Sequence, residues 1–269
     1  MSGALASPAD RLITLPSGVP EFTLGFEVIG WARKYLRHPN GPRAGQRWQF
    51  VESQVRFLLW WYAVDEDGNW LFHHGVRRLA KGSGKSPFAA VLALAEFTAP
   101  VRVDDFDPKA PGGVRGKPVD MPLVQIAATA ESQTANTMRM VRALASKGSP
   151  LVQAFGLDAG KTQYYKQPEG TLEVITASAT AAEGAESSCV IADETEHWKP
   201  SNGGPDLAAT LEDNLTKSGN RMLETCNAWV PGIGSVAEAS WDAWVAQEEG
   251  RTRGESKILY DARVAPPDT

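Results

Sequence analysis

A glycine-rich turn, Lys81-Gly-Ser-Gly-Lys-Ser86, follows a segment with strand alternation and precedes an apolar helix, and this order constrains the chain more than any other feature. Glycines at 82 and 84 permit a sharp turn whose backbone N–H groups converge on an anion. A helix beginning behind the turn adds the positive end of its dipole. Lys85 then has the reach to meet β- and γ-phosphates, and the Ser86 hydroxyl is of the type that ligates Mg²⁺. One departure is visible: a phosphate-binding loop usually opens on Gly five residues before Gly84, and here Leu79 stands there.

The second constraint is Cys189-Val-Ile-Ala-Asp193-Glu194, an apolar strand that delivers two carboxylates at its C-terminal end. Ligands of open α/β sheets sit at that end. Asp193 is placed to hold Mg²⁺ opposite Ser86, and Glu194 to act as general base towards an attacking water. Each motif alone has a bland reading, as a common tripeptide or a solvated acidic turn. Together they point to ATP hydrolysis. A further strand over 221–227 ends in polar residues, so Thr225 and Asn227 are candidates to sense the γ-phosphate. Gln54 opens a helix upstream, where its amide could read adenine.

Coarse periodicity predicts helices over 26–36, 52–62, 87–97, 132–146, 207–215 and 236–247. Strands are expected over 70–77, 123–128, 188–192, 221–227 and 257–261, with a hairpin over 163–176. Residues 1–20 look like an irregular leader and residues 100–121, rich in Pro and Gly, like a surface loop. Alternation of strands and helices argues for a mostly parallel α/β sheet covered by helices on both faces. The first helix should turn Phe26, Ile29, Ala32 and Leu36 inward.

Composition removes other classes. With 42% hydrophobic and 22% charged residues, disorder, collagen-like repeats and coiled coil are excluded for the whole. No apolar stretch nears the ~20 residues a bilayer needs, and the start has no apolar signal core, so a soluble intracellular protein is expected. Cys189 and Cys226 are too few for a disulfide framework and read as buried strand residues; His38, His73, His74 and His197 lack zinc-ligand spacing. Residues 1–120 carry 15 Lys and Arg against 12 Asp and Glu, and residues 121–269 carry 12 against 20. Bulk charge therefore does not coat nucleic acid, although a local contact is allowed.

Further runs accompany these motifs: Tyr35-Leu-Arg-His-Pro-Asn-Gly-Pro-Arg-Ala-Gly45, Gln54-Val-Arg-Phe-Leu, Asp193-Glu-Thr-Glu-His-Trp198, Asn202-Gly-Gly204, Leu223-Glu-Thr-Cys-Asn-Ala228 and Pro231-Gly-Ile-Gly-Ser235. With them the chain resembles, over roughly residues 25–265, the ATPase domain of the large terminase subunit of tailed bacteriophages. The resemblance implies a P-loop NTPase fold of the glutamate-base (ASCE-like) division, with a leader and helix over 1–45 and the ATPase core over 46–269. It implies ATP and Mg²⁺ as cofactors, with ATP held by Gln54, Arg78, Lys81, Gly82, Ser83, Gly84, Lys85 and Ser86. Metal binding falls on Ser86 and Asp193, catalysis on Glu194 with Lys85 and Lys81, and coupling on Thr225 and Asn227.

The implied activity is pumping of double-stranded DNA into a procapsid, independent of its sequence. The implied partners are a portal protein, a small terminase subunit and further copies in a ring, in the host cytoplasm and away from membranes. Other readings stand beside it: a helicase-like P-loop translocase, or a non-catalytic nucleotide-binding assembly module. The chain departs from the family in three places. Lys81, with Arg77 and Arg78 earlier, stands where an Arg near the loop is usual. The segment 181–188 holds Glu183 and Glu186 and no arginine finger, leaving Arg139 and Arg142 on the preceding helix as candidates. The family's nuclease domain uses clustered carboxylates and metal, but the aspartates after Asp213 are only Asp242, Asp261 and Asp268, with no room for another α/β domain. DNA cleavage is therefore not expected, and Pro266-Pro-Asp-Thr269 reads as the start of a linker.

Overall fold

Residues 14–177, 186–252 and 257–262 are described by the computed structural model. Outside them lie the first part of the expected leader, Glu183 of the finger segment and the expected linker start. At the centre is an eight-stranded sheet in the order β12-β3-β11-β10-β6-β9-β8-β7. Six strands, β12 (Ile258–Ala262), β3 (His74–Arg78), β11 (Arg221–Cys226), β10 (Cys189–Asp193), β6 (Leu123–Ala128) and β9 (Gly170–Thr176), run parallel. The hairpin partner β8 (Gln163–Lys166) and the short β7 (Asp158–Ala159) add antiparallel pairs at one edge.

Every residue of β10 and β11 is buried, as expected of parallel strands covered on both faces. One face carries α1 (Gly25–Tyr35), α2 (Glu52–Trp61), α3 (Lys85–Thr98), α4 (Glu131–Leu144) and α5 (Pro150–Phe155) around the main core. The other carries α6 (Gly204–Ser218) and α7 (Val236–Glu248) over two smaller clusters. α3 is buried from Phe88 to Thr98, which suits a helix apolar all round.

The mostly parallel α/β sheet matches expectation; several details differ. Residues 100–121 are no plain loop: β4 (Arg102–Phe106) and β5 (Val114–Lys117) pair as an antiparallel ribbon. A second ribbon joins β1 (Phe22–Thr23) to β2 (Ala63–Val64). α1 buries Ala32 as expected and leads into buried Leu36, but Val28 and Trp31 are buried where Phe26 and Ile29 were expected to be. Gly25 lies against the α2 backbone; a Cβ there would come 2.9 Å from Leu58 O. β3 starts at His74 rather than Trp70, and α3 starts at Lys85, before Pro87. The two cysteines are free and buried, as expected.

Candidate nucleotide site

The parallel register aligns Asp193 on β10, Thr225 on β11 and Arg77 on β3 at the C-terminal edge of the sheet. Three connections leave from that edge: the glycine turn after β3, the carboxylate turn after β10 and the Asn227 turn after β11. Strand parity separates their side chains. Asp193 and Thr225 point to the α3–α4 face with Ile191 and Leu223, and Glu224 points to the α6–α7 face.

In the glycine turn, Gly82 and Gly84 have φ of 81° and 84°. A Cβ at Gly82 would meet nothing within 4 Å, so the requirement there is conformational rather than steric. Leu79 is absent from the positive-φ residues, and hence the missing first glycine costs the turn no strain. Gly84 caps α3 without a side-chain hydrogen bond, leaving the first-turn N–H groups facing the turn. Lys85 Nζ donates to Leu79 O at 2.8 Å, Ala80 O at 3.0 Å and Asn227 Oδ1 at 2.6 Å. Gln54 Oε1 accepts from Val51 N, and its Nε2 lies 4.0 Å from where a Gly84 Cβ would stand. The helix-opening glutamine is thus beside the turn. Ser86 follows Lys85 in the first turn of α3, and Lys81 is exposed on the rim with Gly82 and Ser83.

Asp193 is buried, and its carboxylate accepts from Thr137 Oγ1 on α4 and Thr225 Oγ1 on β11, each at 2.5 Å. Burial raises its pKa, the two hydroxyls lower it, and nearby Glu196 raises it again. Glu194, with φ of 56°, is the one non-glycine residue with positive φ among those described. Such backbone costs of order 1–3 kcal/mol and persists where the surroundings hold it. Here Trp198 Nε1 donates to Asp193 O at 3.0 Å, and Glu194 N donates to Thr225 Oγ1. Burial, then Asp193 and Glu196, raise the Glu194 pKa. Lys85 is lowered by burial, opposed most by Glu196.

The site fits a magnesium-bound nucleoside triphosphate on its own chemistry. The turn offers amides and an ammonium to phosphate, while three carboxylates within one hexapeptide call for a cation. Among the described residues no group of three or more His, Cys, Asp and Glu forms a metal cage. A cation here would rest on Ser86, Asp193 and phosphate oxygens.

Not every expected residue converges. Arg78 leaves β3 on the α7 face and lies over the rings of Trp229 and Trp241, 4.0 and 5.4 Å from their centroids. Arg142 donates to Lys161 O, whereas Arg139 is exposed on the helix that carries Thr137. Asp261 is ion-paired with buried Arg77 at 2.8 Å. Thr137 and Glu196 were missed as site residues; a threonine on the inward stripe of α4 was the available signal for the first. The remaining motifs gather behind the carboxylate turn. Asn202 Nδ2 donates to His197 O, Val236 N to Trp198 O, and Ser235 caps α7.

A cavity of about 800 Å³ lies elsewhere, between α6, α7 and the N-terminal ends of β3, β11 and β12. Its lining is mainly apolar. His74 lines this cavity and lies 2.6 Å from Glu224 Oε1; Thr195 and Ser240 hydroxyls also donate to Glu224. Burial lowers the His74 pKa, but the Glu224 hydrogen bond and charge, with Glu212, outweigh it and hold it above 6.5. A raised folded-state pKa stabilises below the unfolded value and the contribution is lost as pH rises through the folded one. Urea midpoints should therefore fall as pH rises through the raised His74 pKa, and His74→Gln should flatten that slope.

No family model matches the chain. It is 35% identical to the Gene 13 protein of Mycobacterium phage L5 over 93% of its own length and 46% of that protein. Among solved structures, the HK97 bacteriophage large terminase superposes with a TM-score of 0.67 at 18% identity, over 92% of this chain and 45% of that one. A point variant of the Thermus phage P74-26 large terminase ATPase domain gives 0.51 at 14%, over 88% and 84%. The chain thus has the fold of phage large terminase ATPase domains, an α/β P-loop NTPase fold. It spans just under half the length of the curated relative and of the HK97 protein.

Proposed function

We propose, for a chain with this terminase ATPase fold and a phage relative along nearly all its length, that it is the ATP-hydrolysing motor domain of a DNA-packaging terminase. The observation that carries the reading is the meeting, at one sheet edge, of an uncapped helix start bearing Lys85 and a strained turn bearing Glu194. Thr225 and Asn227 join the two from the strand between them. Backbone strain kept at a carboxylate argues for catalysis over a nucleotide site that only holds shape.

Gln54 takes the base, Gly82 to Lys85 take the phosphates, and Lys81 is within the same turn to assist. Ser86 and Asp193 hold the cation. Glu194 accepts the proton of the attacking water. ATP supplies the phosphoanhydride, and Mg²⁺ supplies positive charge beside three carboxylates. Thr225 and Asn227 pass the state of the phosphate site into β11. Arg78, engaged on Trp229 and Trp241, would need to leave those rings to reach ATP, while exposed Arg139 is better placed than Arg142 to act on a neighbouring subunit.

In this reading the ATPase core spans 46–269, copies assemble as a ring on a portal with a small terminase subunit, and duplex DNA is gripped through its phosphates. The work is done in the host cytoplasm; among the described residues no helix is long and apolar enough to cross a membrane. We assign DNA cleavage to none of these residues.

The test is Mg²⁺-dependent ATP hydrolysis against protein concentration. Turnover per subunit should rise with concentration, since a finger supplied by a neighbour contributes about 10³–10⁵ in rate where such groups operate. No hydrolysis and no nucleotide binding at any concentration would overturn the reading.

A further inference from the structure

Glu196, two residues beyond the base, has no role in the mechanism so far. It is only 5% exposed, and its Oε2 is buried with no hydrogen-bond partner. Leaving a buried carboxylate so poorly satisfied is costly unless its charge is used. Its other oxygen accepts from Asn227 Nδ2, with His197 Nε2 3.8 Å away. Asn227 Oδ1, in turn, accepts from Lys85 Nζ. A carboxylate on one side and an ammonium on the other leave the amide only one orientation.

An ammonium has three protons, and Lys85 has spent all three on Leu79 O, Ala80 O and Asn227 Oδ1. A phosphate oxygen can therefore reach Lys85 only by displacing one of these acceptors. We propose that Glu196 is a positioning residue of the phosphate site, which holds the Asn227 amide so that it competes with phosphate for the Lys85 ammonium. Of the surrounding carboxylates, Glu196 also acts most strongly on Lys85. Its Oε2 meets no hydrogen-bond donor, which leaves that charge little diluted. The inference rests on the ATPase reading and deepens it: nucleotide binding would draw Lys85 away and release Asn227 from Glu196, which lies in the turn that carries Glu194.

The test is calorimetric binding of ADP and steady-state ATP hydrolysis by the wild type, Glu196→Gln and Glu196→Ala. Removing the negative charge from beside the phosphates, and in Glu196→Ala the amide clamp with it, should tighten ADP binding about three- to tenfold. KM for ATP should fall with it, kcat should not rise, and the unfolding midpoint should hold. A residue that only supports the fold would instead lower the midpoint without tightening binding. Should Glu196→Ala fail to fold, Glu196→Gln still decides, because it keeps the shape and loses the charge. Unchanged or weaker ADP binding in folded Glu196→Gln, beside a wild type that binds ADP and hydrolyses ATP, would overturn this inference alone. A wild type that binds no nucleotide would overturn the ATPase reading and this inference with it.

Discussion

Replacing Glu194 with Gln should cut ATP turnover about 10²–10⁴-fold while leaving ATP bound. The carboxamide keeps the size of the side chain and the hydrogen bond from the Glu194 amide to Thr225, so the turn has no reason to unfold. What it loses is the lone pair that takes a proton. Burial, with Asp193 and Glu196 beside it, raises the Glu194 pKa above 4.5, making it a stronger base than a solvated carboxylate. Turnover in the wild type should therefore fall as pH drops through that raised value, and the residual activity of Glu194→Gln should lack this limb. Glu194→Asp is a separate check: it keeps the charge but draws it back by one methylene, and should sit between the two. ATP hydrolysis in Glu194→Gln within a factor of a few of wild type would move the base elsewhere, with Glu196 the next carboxylate in the turn.

The candidate site at the sheet edge was legible because its motifs are local. A glycine turn, a lysine and an acidic strand end each lie within a few consecutive residues, and parallel pairing brings such ends together whatever the intervening chain does. Thr137 was not legible as a partner of Asp193, because 56 residues of chain separate them and nothing short of the packing of α4 on β6 and β10 sets their contact. Glu196 was quoted within a motif but given no task, since its meaning depends on Asn227 reaching across from β11. Arg78 shows the converse. Its position beside the turn suggested ATP, yet parity along β3 sends it to the α7 face with Val76, where two tryptophans take it up. The ribbon of β4 and β5 was hidden by its own composition: prolines and glycines mark the turn regions, and the short exposed strands between them carry too little apolar alternation to stand out.

Glu96→Ala should destabilise the fold by about 3–5 kcal/mol, the cost of leaving a buried charge without its partner. Glu96 lies on α3, the helix that starts in the phosphate turn, and is 1% exposed. Its carboxylate meets Arg221 at 2.8 Å, Arg102 at 3.0 Å and the Tyr62 hydroxyl at 2.9 Å. Arg221 is fully buried at the start of β11, stacked over Trp61, Tyr62 and Trp70, and its Nε has no hydrogen-bond partner. Gly75 makes room for Trp61 against β3; a Cβ there would come 2.6 Å from the indole ring. Removing Glu96 leaves two guanidinium groups facing each other inside the protein with no anion between them. The urea midpoint should fall with little change in the slope of unfolding. The site itself should suffer less than the fold: Glu96 lies three turns along α3 from Lys85, so ATP binding at low temperature, where the variant is still folded, should stay near the wild-type value. Glu96→Gln should cost less than Glu96→Ala, because the amide oxygen still accepts from Tyr62 and one guanidinium. A loss below about 1 kcal/mol in Glu96→Ala would mean that Arg221 reaches water or another acceptor, and that its stacking on Trp61, Tyr62 and Trp70 rather than its ion pair with α3 holds it in place.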